Sequence, residues 1–339
     1  MTTRQAYVVP KAGSLRQITL RQEELPPPGP HEVTVAVRAI GLNYADLFAI
    51  MGLYSATPKG SFVPGLEYAG EIVAVGSAVR THRPGQRIMG VTRFGAYATH
   101  LNIDARYALP LPDEWSFAEG SAFLVQVLTA YYALVPLGNL RAGQTVLIHS
   151  AAGGVGLQAN RLAKRLGAYT VGVVGSKAKV PLLQREGYDG WVVREPHFKQ
   201  DVMAALKGRE LNLVLEAAGG KYFTWSYELL APQGRLVTYG SASFSPTGPR
   251  PNYLSLVWKF LRRPRLDPLR MPTQNKSVMG FNLIWLYEKA GLMHQLVDEI
   301  AALHLPPPLV GHTYPFPDLP KALDVFLAGQ TTGKVVVLV

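Results

Sequence analysis

The chain has 339 residues, too many for one ordinary hydrophobic core and enough for two domains that each bury most of their apolar surface. Its composition, 48% hydrophobic and 17% charged, excludes a disordered chain, and the complete lack of cysteine excludes disulfides, a thiolate nucleophile and any zinc site needing sulfur. A formal net charge of +11 favours an anionic partner, whether a phosphorylated cofactor, an acidic membrane surface or nucleic acid; with no RNP motif, zinc-finger spacing or basic-aromatic stacking run, nucleic acid is not expected.

The opening MTTRQAYVVPKAG carries no apolar segment of signal-peptide length, and no stretch reads as the roughly 18 to 20 apolar residues of a membrane span, so a soluble, cytoplasmic protein is expected. Residues 1 to about 122 read as short strands at 6–10, 32–39, 68–75 and 87–89, punctuated by PPPGP at 26–30 and by the Pro64-Gly65 and Pro84-Gly85 pairs. That is the texture of a mostly β domain. From Thr145 a buried apolar strand, TVLIHS, leads through glycines into a helical stretch, LQANRLAKRLG, and a second apolar strand, YTVGVVG. This βαβ unit demands a parallel sheet. Further strands are expected at 211–216 and 235–239, giving a doubly wound sheet from about 125 to 285, interrupted by a Pro- and Arg-rich insertion at 246–275. A helix around 286–303 and a closing strand, KVVVLV, end the chain, and this last segment is expected to rejoin the first domain.

The glycines Gly153, Gly154 and Gly156, with Ala151, Ala152 and Val155, sit at the turn from strand to helix. There small residues let the backbone approach a pyrophosphate and the helix N-terminus favours the anion. An NAD-type site places an acidic residue at the end of the next strand to bind the ribose diol. Here the strand runs into Gly175-Ser176-Lys177-Ala178-Lys179, which offers a hydroxyl and two ammonium groups to a 2′-phosphate, so NADPH is the expected cofactor. Cations at a helix start oppose its dipole, and an anionic ligand would explain them.

Several motifs in order, GLNYADLFAIMGLYS (41–55), VPGLEYAGEIVAVG (63–76), VLTAYYAL (127–134), HSAAGGVGLQANRLAKRLGA (149–168) and TTGKVVVLV (331–339), resemble the quinone oxidoreductase and zeta-crystallin branch of the medium-chain dehydrogenases/reductases. Within it RPRLDPLRMPTQNKSVMGFNLIWL (263–286) is similar to the vesicle amine transport protein 1 homologue subgroup. The resemblance implies an α/β protein with a GroES-like β-rich catalytic domain from 1–124 and 287–339, a Rossmann NADPH-binding domain from 125–286, a cofactor between them, and a homodimer. It also implies chemistry without zinc: the position of the first cysteine ligand of the zinc-dependent cousins falls in Gly41-Leu42-Asn43, and their GHE reads Gly65-Leu66-Glu67. His82, His100 and His149 are too scattered in sequence to suggest another metal site.

By the same resemblance Asn43 and Tyr54 line the substrate cleft. Asn43 is expected to donate an amide hydrogen bond to a substrate carbonyl, and Tyr54 to donate a proton, to orient the substrate, or only to pack under a loop. The hydroxyl of Tyr44 either joins the cleft or points to solvent. The expected cofactor contacts are Thr129, Ala152, Gly153, Gly154, Val155 and Gly156, then Ser176, Lys177 and Lys179 for the 2′-phosphate. Arg194, where relatives often have tyrosine, reads as a stacking group, a phosphate contact or a surface arginine. Tyr239, Gly240 and Ser241, after what is taken as the sixth strand, and Phe281, Asn282 and Leu283 pass near the nicotinamide, with Lys334 reaching the cofactor from the terminal segment. Glu67 reads as a structural hydrogen-bonding group.

The expected activity is NADPH-dependent reduction of a quinone or an α,β-unsaturated carbonyl compound. The alternatives are an enoyl-thioester reductase and a weakly catalytic NADPH-binding protein that interacts with membranes or partner proteins. Residues 254–270, LSLVWKFLRRPRLDPLR, mix Trp258, Phe260 and Leu261 with five cations, a combination suited to an anionic membrane, a cleft cover or a dimer contact.

Overall fold

The computed structural model describes residues 2–194 and 196–339. The chain begins with β1 (Thr2–Val8), β2 (Thr19–Leu25), β3 (Glu32–Gly41), α1 (Tyr44–Ile50), β4 (Glu67–Val75), β5 (Arg87–Val91), β6 (His100–Asp104), β7 (Ala108–Pro110) and α2 (Phe117–Gly120). It continues with α3 (Leu124–Tyr132), β8 (Thr145–Ile148), α4 (Gly154–Arg165), β9 (Tyr169–Val174), α5 (Val180–Arg185), β10 (Gly190–Val193), α6 (Phe198–Leu206) and β11 (Leu213–Glu216). Then come α7 (Lys221–Leu229), β12 (Arg235–Thr238), α8 (Tyr253–Leu261), α9 (Arg270–Gln274), β13 (Ser277–Gly280), α10 (Ala290–Ala301), β14 (Val310–Pro315), α11 (Leu319–Leu327) and β15 (Lys334–Leu338).

β3, EVTVAVRAIG, is buried along nearly its whole length because it is the hub of the first sheet. Strand order there is β14-β15-β3-β4-β5-β7, with β6 also paired to β3. The chain terminus returns to this sheet as expected: β15 runs antiparallel to β3, with Val336 opposite Gly41. Gly41 has to be glycine. A Cβ there would stand 1.9 Å from the Ser121 carbonyl oxygen and 2.8 Å from the Lys334 side chain.

The second sheet is wholly parallel, in the order β10-β9-β8-β11-β12-β13. Helices cover both faces of such a sheet, so its strands are continuous apolar runs; all four residues of β8, TVLI, are buried. The strand order reverses between β8 and β11, and that reversal opens a crevice beyond the carboxyl ends of the strands. The protein is therefore an α/β molecule with a β-rich lobe and a doubly wound lobe.

Four expectations need correction. The segment read as strands and turns holds two helices, α1 and α2. Tyr239 follows β12, the fifth strand of the parallel sheet and not the sixth; the sixth is β13, just after the insertion. Helix α4 starts at Gly154, three residues before the apolar periodicity begins, because the glycines form its first turn. Finally, the 21-residue run Phe117–Leu137 is long and apolar enough to cross a membrane by length and composition, contrary to the reading of the sequence. Of its most apolar stretch, 67% is buried inside the protein, where α3 packs on α4 and α10.

Candidate active site

Strand β8 delivers the chain to the crevice through Ser150, which takes a left-handed φ of +53°, and then through Ala151 to Gly156. A Cβ on Gly156 would lie 2.6 Å from both the Ala151 Cα and the Ser150 carbonyl oxygen, so the loop closes this tightly only with glycine. The amides of Gly154, Val155 and Gly156 open α4 and have no acceptor inside the helix. All three residues line a cavity of about 700 Å³ between the lobes. They open a helix of twelve residues, making the loop a ready anion site.

Two cations enter the same cavity from the ends of the neighbouring strands. Lys179 follows β9, and Arg194 follows β10. The Lys179 Nζ donates to the carbonyls of Gly329 and Thr331, both at 2.9 Å, which ties the doubly wound lobe to the returning C-terminal segment. Burial, and then the charge of Arg194, hold this ammonium below the ordinary lysine range. The Arg194 guanidinium lies 5.4 Å over the Tyr222 ring and donates to Ser150 Oγ at 3.3 Å, while its buried Nε has no partner among the described residues. Burial dominates its downward shift, with Tyr222 and Glu216 opposing it. Two desolvated cations facing one space are costly unless an anion joins them.

At the floor of the cavity four side chains form a buried network. Lys334 donates to Glu67 Oε2 at 2.8 Å and to Asn43 Oδ1 at 2.9 Å, and Gln126 Nε2 donates to the same Asn43 oxygen at 2.7 Å. An ammonium has only donors, so the atom facing it must be the amide oxygen, and the orientation of the Asn43 side-chain amide is fixed. The Nδ2 group donates to the Gly41 carbonyl at 3.1 Å, and the Asn43 side chain also bonds the Glu67 carboxylate, opposing the upward pull of burial on its pKa. Glu67 Oε1 accepts from the Val125 amide at 2.9 Å, so the same carboxylate anchors the first turn of α3. Burial pushes the Glu67 carboxyl up and the Lys334 ammonium down, and each is opposed by its attraction to the other. Beside them Asp46 accepts from the Asn43 backbone N–H at 2.8 Å and the Tyr97 hydroxyl at 2.9 Å, yet burial still pushes it up to about 7.

Most of the expected residues converge on this one cavity. Asn43, Tyr54, Thr129, Ala152 and the three glycines with Val155 line it; so do Lys179, Arg194, Tyr239, Gly240, Ser241, Phe281, Asn282, Leu283 and Lys334. Two do not. Ser176 is exposed and spends its hydroxyl capping the short turn before α5, accepting from the Ala178 amide at 3.3 Å, and Lys177 is exposed beside it. The turn aims the second lysine inward and the first outward.

Other roles change with the geometry. Lys334 is nearly buried, at 4% exposure, and addresses Asn43 and Glu67 at the floor of the cavity. Arg194 is no surface arginine. The Tyr54 hydroxyl donates to Asn282 Oδ1 at 2.8 Å, and burial pushes its pKa up to about 12, which suits orienting a substrate better than surrendering a proton. Tyr44 also lines the cavity, its ring 4.6 Å from that of Phe326 and tilted 51° to it, with its hydroxyl 3.4 Å from the Phe326 carbonyl. Thr129 donates to the Val125 carbonyl at 2.6 Å, a bond internal to α3.

Gln126 and Asp46 escaped the sequence reading. Gln126 had a signal: it lies three residues before Thr129 in an otherwise apolar helix, which puts both polar groups on one face. The histidines serve elsewhere. His82 bonds the Ala108 carbonyl, and His149 is buried against Ser226 Oγ at 2.9 Å. Among the described residues no three His, Asp or Glu side chains are grouped to hold a metal ion.

Comparison with known proteins agrees with this geometry. Residues 29–113 match the family described as alcohol dehydrogenase GroES-like domain, and residues 192–337 match the one described as zinc-binding dehydrogenase. The chain is 32% identical over 317 residues to the rat synaptic vesicle membrane protein VAT-1 homologue, covering 92% of this chain and 78% of that protein. It is also 32% identical to a quinone oxidoreductase of Pseudomonas aeruginosa, covering 92% of each. Among solved structures, the quinone oxidoreductase of Thermus thermophilus, described alone and in complex with NADPH, superposes with a TM-score of 0.78 at 29% identity, over 99% of this chain and all of that one. The chain belongs to the medium-chain dehydrogenase/reductase family, close to its VAT-1 homologues and quinone oxidoreductases.

Proposed function

We propose that this protein is an NADPH-dependent oxidoreductase that reduces an apolar quinone or α,β-unsaturated carbonyl compound without a metal. The observation that carries the reading is one cavity holding a helix N-terminus, two desolvated cations and a rigidly oriented asparagine. The dinucleotide fits these residues. The Gly154–Gly156 amides suit its pyrophosphate, Arg194 Nε lacks a partner among the described residues, and Lys179 and Arg194 together suit a 2′-phosphate.

When bound, NADPH supplies a hydride from its nicotinamide. The protein's part is to hold and polarise the acceptor. Asn43 is pinned by Lys334, Gln126 and Gly41, so its side-chain amide is held ready to stabilise negative charge that develops on a carbonyl oxygen without reorganising at that moment. Tyr54 and Asn282 form a second polar pair that orients the substrate. The remaining wall, including Phe48, Leu66, Leu283, Ile284, Leu292 and Leu296, is apolar and suits an uncharged ring or chain. Metal independence is supported by the missing cysteines and by the Lys334 ammonium, which already supplies positive charge between Asn43 and Glu67.

Steady-state NADPH oxidation across quinones, enones and enoyl thioesters tests the proposal. Turnover is expected with at least one class, and Asn43→Ala is expected to lower kcat by roughly 10²- to 10³-fold, as loss of one such donor does, with little change in NADPH affinity. No oxidation with any acceptor, or full activity in Asn43→Ala, would contradict it.

A further inference from the structure

Adding hydride to a quinone or an α,β-unsaturated carbonyl compound puts negative charge on oxygen, and the reaction is complete only when that oxygen gains a proton. The cavity offers few sources. No carboxylic acid or histidine is among the described residues that line it. Tyr44, Tyr54, Tyr239 and Tyr287 do line it, but burial raises all four phenols above their ordinary range. Desolvation penalises the charged form of a group, so it weakens a phenol as an acid and strengthens an ammonium. Of the three cations on the wall, Arg194 keeps its proton, as guanidinium groups do in proteins, and Lys179 is tied to the carbonyls of Gly329 and Thr331. Lys334 remains.

The Lys334 side chain passes beside the glycine loop: a Cβ on Gly154 would lie 3.8 Å from its Cδ, and one on Gly41 would lie 2.8 Å from its Cε. The ammonium stops 2.9 Å from Asn43 Oδ1, next to the amide that holds the acceptor oxygen in the function proposed above. Of its three hydrogens two are donated, to Asn43 and Glu67, which leaves one for a ligand. Burial holds this ammonium below the ordinary lysine range, with the attraction of Glu67 opposing the shift.

We propose that Lys334 is the acid of the reaction, its Nζ giving a proton to the acceptor oxygen that Asn43 polarises; this rests on the function proposed above. The acceptor gains a hydride and with it the electron pair that NADPH gives up. An electron pair of the conjugated system comes to rest on a carbonyl oxygen, and an O–H bond forms there as an N–H bond of Lys334 breaks. A quinone so becomes a hydroquinone, and an enone an enol that rearranges to the saturated ketone. The amine left behind is neutral and is recharged by a proton from water. The transfer turns an oxyanion and an ammonium into two neutral groups, which a desolvated floor favours, and Glu67 keeps the Val125 amide as a partner.

The test is single-turnover oxidation of NADPH by the full chain with three acceptors: an enone, a methylated quinone and a chlorinated quinone. Chlorine stabilises the reduced anion, so the third acceptor needs no proton from the protein. Lys334→Arg keeps the charge but holds its proton, and Glu67→Gln/Lys334→Met removes the pair together. NADPH affinity unchanged in fluorescence titrations shows that each variant folds. Both variants should lose roughly 10²- to 10⁴-fold on the enone and the methylated quinone, the usual contribution of a general acid, and less than about 10-fold on the chlorinated quinone. Equal losses on all three acceptors, or full activity in both variants, would overturn the role of Lys334. A second readout needs no turnover. Absorbance of bound 4-nitrophenol, a stand-in for the oxyanion, should show more phenolate in wild type and in Lys334→Arg than in the double variant. The same phenolate fraction in all three, with wild-type turnover intact, would overturn the placement of Lys334 alone. Phenolate held through Lys334 without turnover on any acceptor would overturn the proposed function and leave Lys334 facing a ligand's oxygen.

Discussion

Lys334 and Glu67 face each other at 2.8 Å with 4% and 0% exposure, so neither has water to fall back on if its partner is removed. Breaking such a pair leaves one buried charge uncompensated and costs about 3 to 5 kcal/mol, whereas replacing both partners can be far milder. Lys334→Met should therefore lower unfolding free energy by that amount in denaturant titrations, and Glu67→Gln/Lys334→Met should recover part of it. A double variant as unstable as the single one would show that packing, and not charge, dominates there. The lysine itself was legible in TTGK, but its partners were not, since a contact 267 residues long in sequence leaves no local pattern. Lys177 and Lys179 show the same limit from the other side. Both could be counted in the sequence, yet which one points inward is decided by a single short turn capped by Ser176.

At the level of elements, the segments with strong periodicity were readable. TVLIHS, the glycine turn, α4 and YTVGVVG fix a parallel βαβ unit because buried strands and a glycine-opened helix have few other solutions. KVVVLV, expected only to rejoin the first domain, does so by pairing with β3. Elements held by tertiary context were missed. β13 is four residues, SVMG, with no buried position, so it offers no apolar run and forms because β12 presents an edge to pair with. Helix α1 had a quiet signal in Asn43 followed three residues later by Asp46, the pattern of an N-terminal capping box. The cleft itself was legible only as a set of residues: the sequence could nominate Tyr54 and Asn282 separately, but their 2.8 Å bond is a product of two lobes meeting.

Across the whole molecule, buried titratable groups oppose one another. Asp46 is raised to about 7, so the folded chain binds its proton more tightly than the unfolded chain, and its contribution to stability is lost as pH rises from about 4 to 7. His149 is lowered to about 3 by burial, with the charge of Arg194 adding to it, and its contribution is lost as pH falls from about 6.5 towards 3. Between about pH 4 and 6.5 the two slopes have opposite sign and offset each other. Asp46→Asn removes one of them. The variant should lose stability on acidification more steeply than wild type, by about 1.4 kcal/mol per pH unit for one proton, in denaturant titrations across that range. Parallel curves would mean that Asp46 is ionised in the fold.

The same lobes meet around Lys179, whose ammonium joins β9 to the C-terminal segment and faces Arg194 across the cavity. This makes cofactor choice the most direct measure of the account. Fluorescence titration of NADPH and NADH against wild type and Lys179→Ala separates the phosphate contact from any general loosening of the lobes. The account predicts a preference for NADPH in wild type and a loss of roughly 10- to 100-fold in NADPH affinity in the variant, with NADH nearly unchanged. Equal losses for both dinucleotides, or no preference in wild type, would contradict it.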